Sequence, residues 1–332
     1  MPERIFVVQP IPEPALEMMR AVAEVEVYPY TDRMVTVDEL YAVSRRCDYI
    51  FAMHETMVPA AVVADQPRLK GIAVGGRDAS DMIDVPACEA AGVQMIHAMP
   101  DAQPAARAGN AKATADLTLS LLLCLAYRVV EADHYTRRNG TFQEMTMDLM
   151  GQGCTGKTVG VIGMGRVARE LVPRLKAVDL RVVYTKRTRL SEEEERELGI
   201  EWVGELDDLL AMSDYVTMLA NYNASAHMMM GAAQFARMKP TAYFINSGRG
   251  RLVDEKAMID ALQNGVIAGA GLDVYWHEPP VVHDPFVPLE LRKMDNVVLA
   301  PHNGGATWDS RTRQTLGMAR ALVAHIEAGG TA

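Results

Sequence analysis

The chain has 332 residues, 49% of them hydrophobic, which is enough to bury the cores of about two domains. A formal net charge of -10 at pH 7 argues against nucleic-acid and membrane partners, because anionic surfaces repel an acidic protein at long range. The four cysteines form no C-x-x-C pair, so neither a zinc site nor a disulfide framework is indicated. The longest apolar run, LTLSLLLCLAYRVV from Leu117, is short for a membrane span, and we expect a cytoplasmic protein without a bound metal.

The first hundred residues alternate short β-like runs with helical patterns. The series begins with RIFVVQ at Arg4, continues through DYIFAM and LKGIAVGG, and ends with VQMIHAM at Val93. Strands that alternate with helices of about ten residues are typical of a parallel, doubly wound sheet. The sequence therefore predicts an α/β domain over this segment.

A segment rich in alanine, proline and glycine follows at 100–112, PDAQPAARAGNAK, and its composition predicts a hinge or linker. One long helix is predicted next, from about Ala113 to Arg137. A second alternating series then runs from TVGVIG at Thr158 to NVVLAP at Asn296. Two series of the same kind predict two doubly wound, parallel-sheet α/β domains.

Two glycine motifs stand end to end and predict different chemistries. GQGCTGKT, from Gly151, matches the loop that binds nucleoside triphosphates, and GMGRVA, from Gly163, matches the turn that binds a dinucleotide pyrophosphate. A triphosphate loop needs a strand before it and a helix at its Lys-Thr pair. Here Lys157 and Thr158 lead into VGVIG, a β-branched run that predicts a strand, so the sequence disfavours a triphosphatase.

The second motif has the context that a dinucleotide site requires. The strand TVGVIG precedes it, and the helical VARELVPRLKAV and a further strand, LRVVYT, follow. In this interpretation Gly163 makes the tight turn, Gly165 lets the backbone approach the pyrophosphate, and the N–H groups of Arg166 and Val167 meet its charge. Ala168 keeps the helix close to the strand. The sequence thus predicts a Rossmann cofactor domain.

The end of the second strand of that unit distinguishes NAD from NADP, because an NAD site usually offers a carboxylate to the ribose 2′-hydroxyl there. This chain has YTKRTRL instead, with Lys186, Arg187 and Arg189. Cationic side chains would attract a 2′-phosphate, so NADP(H) is favoured as the cofactor. A basic surface loop on an enzyme that uses NAD is the alternative.

Three segments further along the chain carry a family resemblance: FINSGRGRLVDE, GAGLDVYWHEPP and VVLAPHNGGAT. In these motifs and their order the sequence resembles the D-isomer-specific 2-hydroxyacid dehydrogenases, the family that includes the glyoxylate/hydroxypyruvate reductases. The resemblance extends over nearly the whole chain. It implies a Rossmann cofactor domain at 113–301, inserted into a flavodoxin-like substrate domain made of 1–112 and 302–332.

The resemblance also implies that Arg249, Glu278 and His302 form the catalytic set. Arg249 would bind the substrate carboxylate and polarise the carbonyl through its fork of donors. His302 would act as the acid and base at the carbonyl oxygen, and a carboxylate at Glu278 would raise its pKa and hold its ring. Asn303 stands where an apolar residue commonly follows the histidine.

Further cofactor contacts follow from the resemblance. They are Ala220, Asn221, Ser247, Gly248, Asp273 and Gly304. Asp273 would hydrogen-bond the nicotinamide carboxamide, and the main chain at Asn246–Gly248 would pass along the cofactor. The segment MLANYNAS departs from the usual His-x-Pro-Leu-Thr, which affects Ala220 and Asn221.

In the first domain, the resemblance implies that backbone N–H groups in the turn IAVGGRDASD hold the substrate carboxylate, with Gly75 and Gly76 as donors. Arg77 replaces the usual apolar residue and would either reach a second polar group of the substrate or pair with a neighbouring aspartate. His54, in FAMHETMVP, falls on the loop that lines the substrate pocket in this family.

The implied reaction is hydride transfer between NADP(H), or NAD(H), and a small 2-oxo acid such as glyoxylate or hydroxypyruvate. A homodimer is implied as well, because the helix TADLTLSLLLCLAYRVV is apolar nearly all round. The same fold also serves as a corepressor that senses nicotinamide nucleotides, so a binding protein is the alternative. Turnover of a 2-oxo acid distinguishes the two.

Overall fold

A computed structural model describes residues 2–53, 56–64, 66–75, 82–98, 102–140, 147–277 and 287–330, and for 102–109 it describes the backbone only. The chain divides into two compact units. The first combines residues 1–109 with 306–332, and the second comprises residues 110–305.

The first unit contains one parallel sheet. Its strands are β1 (Glu3–Val7), β2 (Ala23–Val27), β3 (Tyr49–Ala52), β4 (Gly71–Val74) and β5 (Gln94–His97). Four helices connect them: α1 (Glu13–Arg20), α2 (Val37–Ser44), α3 (Ala60–Val63) and α4 (Val85–Ala91). The strand order is β2-β1-β3-β4-β5, the flavodoxin-like order.

The sequence of the central strands explains their place in this sheet. Every residue of β3 and of β4 is buried, as expected for parallel strands that are covered on both faces. In register, Tyr49 pairs with Gly71 and Ala52 pairs with Val74, so both strands end at the same edge.

Helix α5 (Ala102–Ala126) begins in the predicted hinge or linker, so the prediction of a loop is wrong for residues 102–112, although the boundary between the two units, after Gly109, falls within that segment. The segment is rich in alanine, the strongest helix former, and Pro104 falls in the first turn, where its missing N–H costs no hydrogen bond.

The predicted single helix over Ala113–Arg137 is also wrong, because it is interrupted. Helix α6 (Val129–Asn139) starts after Arg128, whose backbone is left-handed, with φ 51°. In the described chain no single helix could cross a membrane, although Asn110–Ala126 and Val129–Asn139, bent by 58°, together pass a length and composition test for a broken span.

The second unit contains a seven-stranded parallel sheet. Its strands are β6 (Thr158–Ile162), β7 (Arg181–Thr185), β8 (Glu201–Trp202), β9 (Tyr215–Met218), β10 (Tyr243–Asn246), β11 (Gly269–Leu272) and β12 (Val297–Leu299). The helices between them are α7 (Arg166–Ala177), α8 (Glu192–Leu198), α9 (Leu206–Met212), α10 (Ala232–Phe235), α11 (Glu255–Gln263) and α12 (Leu289–Arg292). The order β8-β7-β6-β9-β10-β11-β12 is that of a Rossmann sheet with one added strand.

The last helix, α13 (Trp308–Glu327), returns to the first unit and packs on α1, β4 and β5. Thr307 caps its N-terminus, and Ala319 and Leu322 lie fully buried in the core of that unit. Two parallel sheets with helices, one of each order, confirm the predicted fold class.

Candidate active site

The turn after β6 has the geometry of a pyrophosphate-binding loop. Gly163 adopts φ 92°, and a Cβ built on it would lie 2.6 Å from both the N and Cα atoms of Ala220. Its N–H donates to the carbonyl of Thr185 at 2.9 Å. Only glycine fits this position, since the backbone is left-handed and the chain after β9 crosses directly over it.

The space around Gly165 is empty, whereas backbone atoms crowd Gly163. It precedes α7, no side chain caps that helix, and nothing lies within 4 Å of the position where a Cβ would stand. The first N–H groups of the helix, near Arg166 and Val167, therefore face free space with the positive end of the helix dipole behind them. Ala168 is fully buried beneath the turn. This arrangement fits a dinucleotide pyrophosphate.

The stretch that resembles a triphosphate loop does not form one. Gly153 and Gly156 occupy left-handed turns, and the N–H of Lys157 donates to the carbonyl of Cys154. The strand β6 begins at the next residue, Thr158, so no helix starts at the Lys-Thr pair. The local structure agrees with the prediction of a strand entry.

The three basic residues after β7 differ in their hydrogen bonds and ion pairs. Arg189 makes a two-pronged ion pair with Glu195, at 2.9 and 2.7 Å, and lies over the Trp202 ring. This guanidinium lowers the pKa of Glu195 to about 2. Lys186 is half-buried and Arg187 exposed, and neither side chain has a hydrogen bond or ion pair within the described part of the chain. Arg189 is thus a structural residue, and Lys186 and Arg187 are the two cations of this segment without a described partner.

Arg249 projects from a tight turn after β10. Asn246, which is buried at the strand end, accepts from the N–H of Gly248 at 3.0 Å and donates to the carbonyl of Arg249 at 3.2 Å. The Arg249 side chain is exposed and spends one donor on the Gly248 carbonyl, 2.8 Å away. A Cβ on Gly250 would collide with the Tyr275 carbonyl, so the segment that follows β11 crosses directly behind the turn.

Asp273 holds the loop that carries His302. The carboxylate follows β11, is 1% exposed, and accepts from the N–H of Asn303 at 2.8 Å and of Gly304 at 3.0 Å. His302 itself is exposed and adopts φ 55°, a left-handed conformation that is costly for a residue with a side chain. The two hydrogen bonds to Asp273 stabilise the backbone that follows this strained residue.

Helix α5 packs against the loops that follow β10 and β12. Thr118, fully buried, has its hydroxyl 2.8 Å from that of Ser247 and 2.7 Å from the carbonyl of Thr114. A Cβ on Gly304 would meet Thr114 at 3.2 Å. Ser247 is therefore oriented from α5, a contact that the sequence patterns did not indicate.

The segment after β9 brings Ala220 against Gly163, and a Cβ on Gly248 would lie 2.9 Å from the Met218 carbonyl. Asn221 is exposed. Beyond it, the Tyr222 hydroxyl lies 3.2 Å from Nδ1 of His227, whose ring stacks obliquely on Trp276 at 5.5 Å. Sequence reasoning missed this aromatic cluster because Trp276 is distant in the chain from the other two residues.

In the first unit, Gly75 follows β4 directly. The other residues named for substrate binding, His54, Gly76 and Arg77, and the carboxylate at Glu278, lie outside the described residues.

The second unit thus gathers most of the predicted set at one edge of its sheet. Because β6, β9, β10, β11 and β12 are neighbours, Gly163, Ala220, Gly248, Asp273 and His302 lie at their adjacent carboxyl ends. Ligands of open α/β sheets bind at this edge.

Comparison with known proteins agrees with this geometry. Residues 119–304 match the model of the NAD-binding domain of the D-isomer specific 2-hydroxyacid dehydrogenases. A Staphylococcus epidermidis protein assigned to the 2-hydroxyacid dehydrogenases is 35% identical over 308 residues, which is 93% of this chain and 92% of that protein. This chain belongs to the D-isomer specific 2-hydroxyacid dehydrogenases. The predicted family and enzyme class, an oxidoreductase that uses NAD(H), are thereby confirmed.

Solved structures of this dehydrogenase family match the whole chain. One from Polaromonas has a TM-score of 0.83 at 28% identity, covering 99% of this chain and 97% of its own. An NADPH-dependent glyoxylate/hydroxypyruvate reductase from Sinorhizobium meliloti has a TM-score of 0.70 at 27% identity, with coverages of 99% and 94%. This dehydrogenase therefore shares its full-length architecture with them.

Proposed function

We propose that this chain reduces a small 2-oxo acid, of the glyoxylate or hydroxypyruvate type, to the D-2-hydroxy acid with NADPH. The observation that carries the proposal is that two exposed side chains able to react, Arg249 and His302, each lie on backbone held by a buried polar side chain. Arg249 stands on a turn bracketed by Asn246, and His302 on a loop held by Asp273. Rigidly held groups of this kind orient a substrate for reaction.

Arg249 supplies positive charge for the substrate carboxylate and the carbonyl. Its guanidinium keeps donors beyond the one that binds the Gly248 carbonyl, and a planar fork suits a carboxylate. In the first unit, backbone N–H groups of Gly75 and Gly76 would receive the same carboxylate, with His54 and Arg77 toward the rest of the molecule.

His302 donates a proton to the carbonyl oxygen during reduction and takes it back during oxidation. An imidazole suits both directions near neutral pH. Glu278 would hold the charged ring. A nicotinamide cofactor held at the Gly163 turn would provide the hydride chemistry, and Arg249 and His302 would fix the position of the oxygen that gains the proton.

The preference for NADPH is supported by the unpaired cations Lys186 and Arg187 at the end of β7, where an NAD site offers a carboxylate. The reductase from Sinorhizobium meliloti, which is similar over its full length, is NADPH-dependent. The remaining cofactor contacts that we propose are Gly163, Gly165, Arg166, Val167, Ala220, Asn221, Ser247, Gly248, Asp273 and Gly304.

We also propose a homodimer. Four apolar side chains beside the break between α5 and α6 are more than half exposed: Tyr127, Val129, Met147 and Met150. Their two segments are joined, because Arg128 donates to the Asp148 carbonyl and the N–H of Gly153 donates to Ala126. We call these four residues the α5–α6 patch. Exposed apolar patches commonly mark protein interfaces.

Replacement of the proposed acid tests the function. The His302→Ala variant should lose roughly 10²- to 10⁴-fold in kcat on glyoxylate or hydroxypyruvate, the range expected when a general acid is removed. Its Kd for NADPH, from fluorescence titration, should stay within about twofold of the wild-type value. The matched control is His134→Ala, at an exposed position on α6. Full activity of His302→Ala, or a wild-type chain inactive on every 2-oxo acid, contradicts the proposal.

A further inference from the structure

One glutamine of the first unit, Gln314, is largely buried. Gln314 lies on α13 with 8% of its surface exposed. Its side chain makes no hydrogen bond within the described part of the chain, whereas the neighbouring Thr315 hydroxyl donates back to the Arg311 carbonyl. No atom of this amide is among the fully buried unpaired atoms of the described residues, so the amide keeps some contact with solvent, from which a ligand could reach it.

The amide lies against the turn where the substrate carboxylate is proposed to bind. A Cβ built on Gly75 would stand 2.8 Å from Nε2 of Gln314 and 3.2 Å from Sδ of Met318. Gly75 directly follows Val74, the last residue of β4, at the carboxyl edge of the sheet. The backbone of Gly75 and the amide of Gln314 are therefore adjacent.

We propose that Gln314 is a specificity-determining residue that recognises a hydroxyl on C3 of the 2-oxo acid. This inference rests on the proposed function, since it places the substrate at the Gly75 turn. An amide offers both donors and an acceptor without charge, and an alcohol, which both donates and accepts, is its natural complement. The C3 carbon lies one bond from the carbonyl carbon, so a group on it stands close to the bound carboxylate.

A second carboxylate or a methyl group is a poorer match. A carboxylate on C3 would gain only neutral donors from Gln314, whereas protein sites for such groups usually offer a cation. A methyl group would offer the amide no hydrogen bond. The residue therefore favours C3-hydroxylated acids over 2-oxo acids that end in a methyl group.

Two acids that differ by one hydroxyl test this role. Hydroxypyruvate and pyruvate are titrated into the full-length chain by calorimetry in the presence of NADP⁺, with which a 2-oxo acid cannot react by hydride transfer. The wild-type chain should bind hydroxypyruvate about tenfold more tightly than pyruvate, the effect of one neutral hydrogen bond. The Gln314→Met variant, of nearly the same shape, should bind the two acids within about twofold of each other.

The controls separate recognition from folding. Gln263→Met makes the same change at an exposed position of α11 and should keep the wild-type ratio of Kd values. If Gln314→Met fails to fold, as judged by its melting curve, Gln314→Leu provides the same comparison. An unchanged ratio in the folded variant overturns the inference, as does a wild-type chain that binds the two acids equally or binds neither.

This experiment is independent of the proposed catalysis. A preference for hydroxypyruvate that Gln314→Met abolishes, in a chain that turns over neither acid, supports the subsite and refutes the reductase. Turnover of both acids with an unchanged ratio of Kd values supports the reductase and refutes the subsite.

Discussion

Asp273 has a structural role beside the cofactor contact that we propose for it. The resemblance implies a contact with the nicotinamide carboxamide, and the folded chain also uses both carboxylate oxygens to hold the N–H groups of Asn303 and Gly304. Hydrogen bonds to an ionised acceptor are about twice as strong as neutral ones. We therefore expect Asp273 to position His302, whose left-handed backbone needs such support, in addition to contacting the cofactor.

The Asp273→Asn variant tests this role. The amide nitrogen would replace one acceptor, so one of the two backbone bonds is lost and the His302 loop loosens. We expect kcat to fall roughly 10- to 100-fold, since misplacement of a catalytic group by about 1 Å is that costly, while the Kd for NADPH changes less than about threefold. Steady-state kinetics and cofactor titration measure the two effects. Asp208→Asn, at an exposed position, is the control. A large rise in Kd with kcat preserved would favour the cofactor contact instead.

Arg187 tests the cofactor preference. The Arg187→Asp variant replaces an exposed, unpaired cation by a carboxylate, which repels a 2′-phosphate and accepts from a 2′-hydroxyl. The KM for NADPH should rise at least tenfold while that for NADH changes little or falls. The matched control is Arg292→Asp. Arg292 belongs to α12, which packs against β12, the edge strand on the far side of the sheet from β7. Equal changes for both cofactors would refute the assignment.

At the scale of elements, the βαβ unit at β6 shows why motif context was informative. A strand, a glycine turn and a helix are local features, and each was visible as a run of residue types. The capping box of Ser191 and Glu194 at the start of α8 was predictable for the same reason and is present. The break at Arg128 was not, because nothing in its residue type requires a left-handed backbone.

Alanine substitutions at the two glycines of the β6 turn should have different effects, one on stability and one on cofactor binding. Gly163→Ala places a methyl group against the Ala220 backbone in a left-handed conformation, and should lower the free energy of unfolding by about 2 kcal/mol or more. Gly165→Ala meets open space at φ -90°, so the fold should tolerate it. Its methyl group would occupy the space proposed for the pyrophosphate and weaken cofactor binding.

Denaturant unfolding and cofactor titration of both variants measure these effects. The comparison has an internal control, since each variant makes the same chemical change two residues from the other. Equal stability of Gly163→Ala and the wild type, or unchanged affinity for NADPH in Gly165→Ala, would contradict the geometry described above.

At the scale of the whole molecule, the α5–α6 patch should govern assembly. Met147→Glu and Tyr127→Glu each introduce a charge into exposed apolar surface, which costs little in a monomer but much in a buried interface. Sedimentation or light scattering should show a dimer for the wild type and a monomer for the variants. Leu289→Glu, an exposed position on α12, is the control. A wild-type monomer, or dimers of both variants, would refute the proposal.

His325 makes the stability of the first unit depend on pH. It is buried on α13 beside the edge of the Tyr49 ring, and burial lowers its pKa below the usual 6.5. The unfolded chain therefore binds a proton more readily, so this group lowers stability as pH falls below about 6.5 and has no such effect above it. The His325→Phe variant should lose less stability than the wild type between about pH 7.5 and about pH 5.5. Urea midpoints at both values measure this, and an identical loss in the two proteins would contradict it.

The order of elements, the two parallel sheets, the dinucleotide turn and the family were all readable in the sequence, because each depends on local periodicity or on motifs of contiguous residues. Tertiary structure decided what depends on residues distant in the chain. In the folded chain Arg189 pairs with Glu195, and Asp273 accepts from the backbone N–H that follows His302. Ser247 is hydrogen-bonded to Thr118 of α5, and the Gln314 amide lies against Gly75. Each outcome is a competition among possible partners for a polar group, and only the folded chain determines which partner is near enough to bind.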